Sequence, residues 1–187
     1  MQVLDIYDVD IKYIRDLHNA DGNVMSVSPQ IGKETRRFVG VVVMLNGQNY
    51  CIPLSSGDKE KYQNKKSSID MIKIYDENIK NENGAPKTIA VLNINNMIPV
   101  NSSVIKKVNL KVNSHDTVPE RKRKELLQKE VRWCRNNSEL IVRRAIKVYG
   151  LVVETPEKNR QLTRRCCDFK KLEAVLQKRV EKEKVFC

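Results

Sequence analysis

The sequence predicts an α+β fold: a compact, strongly curved antiparallel β-sheet curled towards a partly open barrel, with added helices that are mostly C-terminal. Three observations lead there. Up to about residue 118 the chain is a series of short β-rich runs separated by Gly, Pro and Asn, which suits a small antiparallel sheet better than a parallel one with its long crossover helices. From Pro119 the composition changes to long stretches of helical periodicity with few breakers. The length of 187 residues allows one well-buried core and is short for two ordinary domains. The expectation is therefore one domain over 1–187, with a β-rich core over about 1–118 and a helical part over 119–187.

Taken in order, Val3 to Tyr7 alternates loosely as a first strand would. Asp10 to Leu17 sets Ile11, Ile14 and Leu17 at helical spacing behind an Asp N-cap. Asn19 to Arg37 reads as a long polar loop. Phe38 to Leu45 and Gln48 to Leu54 flank Asn46-Gly47, the dipeptide that best supports a type I′ turn, and so form a β-hairpin. Pro53 has no N–H for a ladder, so the returning strand is expected to end near it and to present Ser55, Ser56, Gly57, Asp58 and Lys59 as a polar loop.

Ser67 to Tyr75 is expected as a strand, and Asp76 to Lys87 as a loop because it holds Asn83-Gly84 and Pro86. Thr88 to Leu92 and Met97 to Val100 are further β runs. Glu120 to Asn136 contains neither Gly nor Pro and carries Leu126, Leu127, Val131 and Cys134 as an apolar stripe, which predicts a helix. A second helix is expected from Ser138 to Tyr149, broken at Gly150, and a last one from Phe169 to Val185.

Lys+Arg of 35 against Asp+Glu of 23 gives a net charge of +12, which favours a polyanionic partner and, above all, nucleic acid. No apolar run approaches the ~20 residues of a membrane span, and the N-terminus lacks the basic and apolar regions of a signal peptide. A soluble, cytoplasmic protein is expected, with no membrane partner. The five cysteines are an odd number without CxxC spacing, and with only two histidines they suggest free thiols rather than a zinc site.

Phosphate-binding glycine loops, HExxH and carboxylate clusters for two metals are all missing from the sequence. What remains near the hairpin is a group of Ser, Lys, Arg and Tyr residues, with no cofactor expected. Such groups clamp phosphates and stabilise a pentacoordinate phosphorane. Cleavage of RNA needs little more, because the substrate supplies its own nucleophile in the 2′-hydroxyl. A non-catalytic RNA-binding regulator using the same basic surface is the alternative.

From Tyr13 to about Tyr149 the chain resembles the type III toxin-antitoxin endoribonucleases of the ToxN and AbiQ family, and within it the CptN-like members. The matching stretches are IKYI (Ile11 to Ile14), RRFVGVVV (Arg36 to Val43), NG-x-x-Y with IPLSS (Ile52 to Ser56), AVLNINNMIPV (Ala90 to Val100) and LLQKEVRWCRNNSELIVRRAIKVY (Leu126 to Tyr149). The resemblance implies a core related to that of Kid and MazF and a metal-independent RNase that leaves a 2′,3′-cyclic phosphate and a 5′-hydroxyl. It also implies inhibition by a small pseudoknot RNA antitoxin in a closed ring of alternating protein and RNA, in some members aborting phage infection.

Residue by residue, the resemblance puts the family's hydroxyl pair on Ser55 and Ser56 and its basic residue before the first hairpin strand on Arg36. Ser55 or Ser56 would assist the 2′-hydroxyl or hold the phosphate, and Arg36 and Lys59 would stabilise charge. Where the family often has Pro-Lys and a nearby His, this chain has Gly57-Asp58-Lys59 and no His near them. Gly32 stands nearest the position of the family's loop tyrosine. Lys33, Arg37, Lys65, Lys66, Arg121, Lys122, Arg123 and Lys124 are the candidate RNA-binding cations, chosen for their basic clustering.

Overall fold

The computed structural model describes residues 4–25, 38–57, 59, 62, 65–81 and 84–185. Strand β1 (Ile6–Val9) leads into α1 (Ile11–Ala20), whose N-terminus is capped by Asp10 accepting from the Tyr13 N–H at 2.9 Å. Strands β2 (Phe38–Leu45) and β3 (Gln48–Ser56) form the expected hairpin. Asn46 and Gly47 both have positive φ, 49° and 82°, as a type I′ turn demands. Strand β4 (Met71–Lys80) is followed by β5 (Pro86–Asn93), a 3-10 turn over Ile94–Asn96, β6 (Ile98–Val100) and β7 (Ile105–Lys107).

The strands make a seven-stranded sheet in the order β4-β5-β3-β2-β1-β7, with β6 also on β3, and each pairing is antiparallel. Among the described residues β4 and β7 remain its two ends, so the sheet is not closed into a barrel. Strand β3 is the hub. Gln48 to Pro53 pairs with β2, Asn49 to Cys51 also with β6, and Leu54 to Ser56 with β5. Pro53 stands where the β2 ladder ends and the β5 ladder begins, so its missing N–H marks a change of partner and not the end of the strand.

Two sequence expectations change for related reasons. Ser55 and Ser56 belong to β3 and not to a loop, because β5 supplies a ladder beyond Pro53. Asp76 to Lys87 is not one loop. Strand β4 runs through it to Lys80 and β5 starts at Pro86, with register shifts between Ile74 and Tyr75 and between Asp76 and Lys80 absorbing the irregular sequence.

The helical part comprises α2 (Val118–Asn136), α3 (Ser138–Val153), a 3-10 turn over Pro156–Asn159, the short α4 (Arg160–Arg165) and α5 (Phe169–Val185). A capping box starts α2: the Thr117 hydroxyl accepts from the Glu120 N–H and the Glu120 carboxylate accepts from Thr117. Gly150 does not break α3, which continues one turn past it to bury Val152. Glycine within a helix costs only about 1 kcal/mol, and burial of an apolar side chain returns ~1.5–3 kcal/mol.

The main core joins Ile6, Tyr13, Val41, Ile52, Ile74 and Leu92 to Leu127, Val131, Ile141, Val148 and Leu172 of the helices. One carboxylate fastens α5 to the hub strand. Glu173 Oε1 accepts from Tyr50 of β3 at 2.6 Å and from Tyr149 of α3 at 2.8 Å, while Lys170 pairs with Oε2 at 2.8 Å. Among the described residues no helix is long and apolar enough to cross a membrane.

Candidate functional site

Adjacent residues of a strand point to opposite faces, and the end of β3 shows this. Ser55 pairs with Val91 and Ser56 with Ala90, and on β5 those two are matched by Lys73 and Ile74 of β4. Ser55, Val91 and Lys73 therefore line one face, and Ser56, Ala90 and Ile74 the other. Ala90 and Ile74 belong to the main core, and Ser56 stands exposed at its margin. Ser55 is only 5% exposed.

On the Ser55 face a small second cluster of Tyr62, Met71 and Val91 covers the sheet. A chain of side-chain hydrogen bonds runs through it. Tyr62 donates to Asn93 Oδ1 at 3.0 Å, and Asn93 Nδ2 donates to Ser55 Oγ at 3.0 Å and towards the Val91 carbonyl at 3.4 Å. The Tyr62 N–H donates to the Lys59 carbonyl at 2.8 Å. Lys59 is thus tied through Tyr62 and Asn93 to the serine strand.

Gly57 continues the ladder, its N–H donating to Ile89 at 3.0 Å. A Cβ there would lie 2.5 Å from the Thr88 carbonyl oxygen and 2.8 Å from the Ile89 carbonyl carbon. Only glycine lets the chain leave Ser56 this close to β5.

Lys65 and Lys66 are exposed and lead into a turn that is firmly held. Asp70 receives Arg165 Nε at 2.6 Å and the Ser68 hydroxyl at 2.7 Å, and Arg144 donates to the Ser68 carbonyl at 2.8 Å. Burial works to raise the Asp70 carboxyl, but the Arg165 guanidinium and the Ser68 hydroxyl outweigh it and hold the group below the ordinary carboxylate range.

Arg121, Lys122 and Arg123 are exposed on the first turns of α2. Lys124 is already engaged with Asp116 at 2.6 Å. Of the other sequence candidates, Lys33, Arg36 and Arg37 lie outside the described residues, as do most of the Asn19 to Arg37 loop and Asp58.

Cys51, Cys134, Cys166 and Cys167 are free and buried. Burial pushes the Cys166 and Cys167 thiols up to about 12 and those of Cys51 and Cys134 well above their ordinary range. Such thiols stay protonated near neutrality and are poor nucleophiles. Among the described residues no three His, Cys, Asp or Glu side chains gather as metal ligands.

Asn93 is the residue that the sequence reading passed over, and Tyr62 entered it only among the Tyr residues near the hairpin. The available signal was a polar residue closing the apolar run Ala90-Val91-Leu92, where a buried amide must find partners.

The sequence model of the family described as "Toxin ToxN, type III toxin-antitoxin system" matches residues 5–177. The Endoribonuclease ToxN of Bacillus thuringiensis subsp. kurstaki is 27% identical over 180 residues, covering 95% of this chain and 84% of that protein. The Endoribonuclease ToxN of Pectobacterium atrosepticum is 26% identical over 152 residues, covering 81% and 82%.

Among solved structures, AbiQ, a lactococcal anti-phage endoribonuclease of the type III toxin-antitoxin class, superposes with a TM-score of 0.77 at 27% identity over 96% of this chain and 99% of its own. A type III toxin described as selectively inhibited by a non-coding RNA pseudoknot gives a TM-score of 0.73 at 27% identity, with the same coverage of both chains.

Proposed function

We propose that this chain, which belongs to the ToxN toxin family of type III toxin-antitoxin systems, is a sequence-specific endoribonuclease toxin held in check by a small pseudoknot RNA. The observation that carries the reading is the match over residues 5–177, together with near full-length relatives that bear the name endoribonuclease. We read the open antiparallel sheet as a strongly curved core of the Kid and MazF kind. The protein is read as cytoplasmic, where its RNA substrates and its RNA inhibitor are found, and as one arm of a defence that aborts phage infection.

In the reaction, the 2′-hydroxyl of the substrate attacks the adjacent phosphorus and the bond to the 5′ oxygen breaks. The 2′ proton is lost, the 5′ oxygen gains one, and the products are a 2′,3′-cyclic phosphate and a 5′-hydroxyl. The protein's task is to align the attack and to offset charge on the phosphorane. Ser56, exposed at the end of β3, is suited to hydrogen-bond the reacting phosphate or the 2′-hydroxyl. Lys59 and Arg36 supply positive charge. The exposed Lys65, Lys66, Arg121, Lys122 and Arg123 contact phosphates farther along the RNA.

The antitoxin is read as being cut from a repeated precursor by the toxin itself and retained in a closed ring of alternating protein and RNA. Incubating the purified protein with labelled RNA in EDTA tests the reading. Discrete shortened products support an endoribonuclease that needs no metal. RNA that is bound but remains intact points instead to a non-catalytic regulator.

A further inference from the structure

We propose that Asn93 is a positioning residue, one that braces Tyr62, and through it Lys59, against the end of β3 by holding Ser55 with one end of its amide and Tyr62 with the other. The proposal rests on the reading that this end of the sheet is the cleavage site, and it assigns Ser55 to the brace, leaving Ser56 as the hydroxyl that meets RNA.

Asn93 is 5% exposed, and a buried amide needs its donors and acceptor satisfied. Its partners come from two other parts of the chain, 38 residues away at Ser55 and 31 away at Tyr62. The Val91 carbonyl at 3.4 Å, which can only accept, fixes which end of the amide is nitrogen. Ser55 Oγ is therefore an acceptor in this chain and Tyr62 a donor.

Ser55 cannot readily share a phosphate with Ser56, because the two leave β3 on opposite faces. What the Ser55 hydroxyl does instead is anchor Asn93. Asn93 in turn fixes Tyr62, whose N–H donates to the Lys59 carbonyl at 2.8 Å. The chain Ser55–Asn93–Tyr62 thus sets where the Lys59 backbone lies relative to Ser56. A misplacement of about 1 Å between groups that act together on one phosphate is enough to slow a reaction strongly.

Tyr62→Phe is the sharpest variant, since it removes one oxygen and keeps the ring packed on Met71 and Val91. Cleavage of labelled RNA at saturating protein is measured for the wild type, Tyr62→Phe, Lys59→Ala and the double variant, and hydrogen exchange of the Tyr62 amide is followed in each. Tyr62→Phe should slow the maximal rate about tenfold, the size of one net hydrogen bond, with half-saturation changed less than about twofold. In the Lys59→Ala background the same change should cost less than about twofold, because the brace acts through Lys59. Exchange at the Tyr62 amide should speed up about tenfold in Tyr62→Phe and in Asn93→Ala.

Equal losses in both backgrounds, an unchanged rate, unchanged exchange, or global unfolding of Tyr62→Phe would each overturn the brace. If the wild type itself left RNA intact, the cleavage reading would fail on its own, while the exchange measurement would still decide whether Asn93 holds Tyr62 on the Lys59 carbonyl.

Discussion

Ser55 and Ser56 are consecutive residues that face opposite sides of β3, one buried on Asn93 and one exposed at the margin of the core. Their alanine variants should therefore separate. Ser56→Ala should leave thermal unfolding near wild type, since exposed substitutions usually move stability by less than ~0.5 kcal/mol. It should slow RNA cleavage on the order of a hundredfold and abolish toxicity in cells lacking the antitoxin. Ser55→Ala deprives Asn93 of a buried partner and should cost about 1–3 kcal/mol of stability, read as a lowered denaturant midpoint. A fully toxic Ser56→Ala would move the assignment to Lys59 or Arg36.

Gly57→Ala should be disruptive out of proportion to one methyl group. Its Cβ would meet β5 backbone at 2.5 and 2.8 Å, which no side-chain rotation relieves. The expected cost is about 1–3 kcal/mol with a displaced end of β3. Equilibrium unfolding and the cleavage rate check both, and a variant matching wild type in each would show that the strand end has slack.

The pH dependence of stability should carry a signature of Glu130. This residue is 4% exposed on the inner face of α2. Burial raises its carboxyl to about 8, opposed in part by Arg123. The folded protein therefore keeps a proton that the unfolded chain, with an ordinary value of ~4.3, gives up. The stability this gives is complete below the unfolded value and is lost as pH rises towards about 8. Thermal unfolding of Glu130→Gln compared with wild type from pH 4 to 9 should show the variant gaining relative stability across that window. Parallel curves would contradict the assignment.

The hairpin, the Asp10 cap and the long helices, apart from the expected break at Gly150, were readable because each depends on local chemistry: Asn46-Gly47, an Asp before an apolar stripe, a sustained helical period. What escaped was decided by distant partners. Pro53 reads as a strand end until β5 is known to lie alongside, and Asp76 to Lys80 reads as loop until β5 pairs with it. The short β7 and α4 carry too few residues for a periodic signal. At the site, the serine pair was visible as a motif, but its division between two faces depends on register. The Asn93 link depends on contacts 31 and 38 residues apart.

Binding of the RNA antitoxin should be strongly salt-dependent. Exposed Lys65, Lys66, Arg121, Lys122 and Arg123 would release counterions from phosphates, so log affinity should fall linearly with log salt. Replacing Lys65 and Lys66 by Ala should make that slope shallower by up to about 2. A flat response in the wild type would mean that the charge of +12 serves only solubility.

In the proposed reaction the substrate's own 2′-hydroxyl breaks the RNA chain. This step is tested by a labelled oligoribonucleotide carrying a single 2′-deoxyribose at the scissile position, incubated with the protein in EDTA beside its all-ribose twin. The ribose substrate should be cut to a 2′,3′-cyclic phosphate and a 5′-hydroxyl while the deoxy substrate stays intact. Equal cutting of both, or loss of cutting in EDTA, would contradict it.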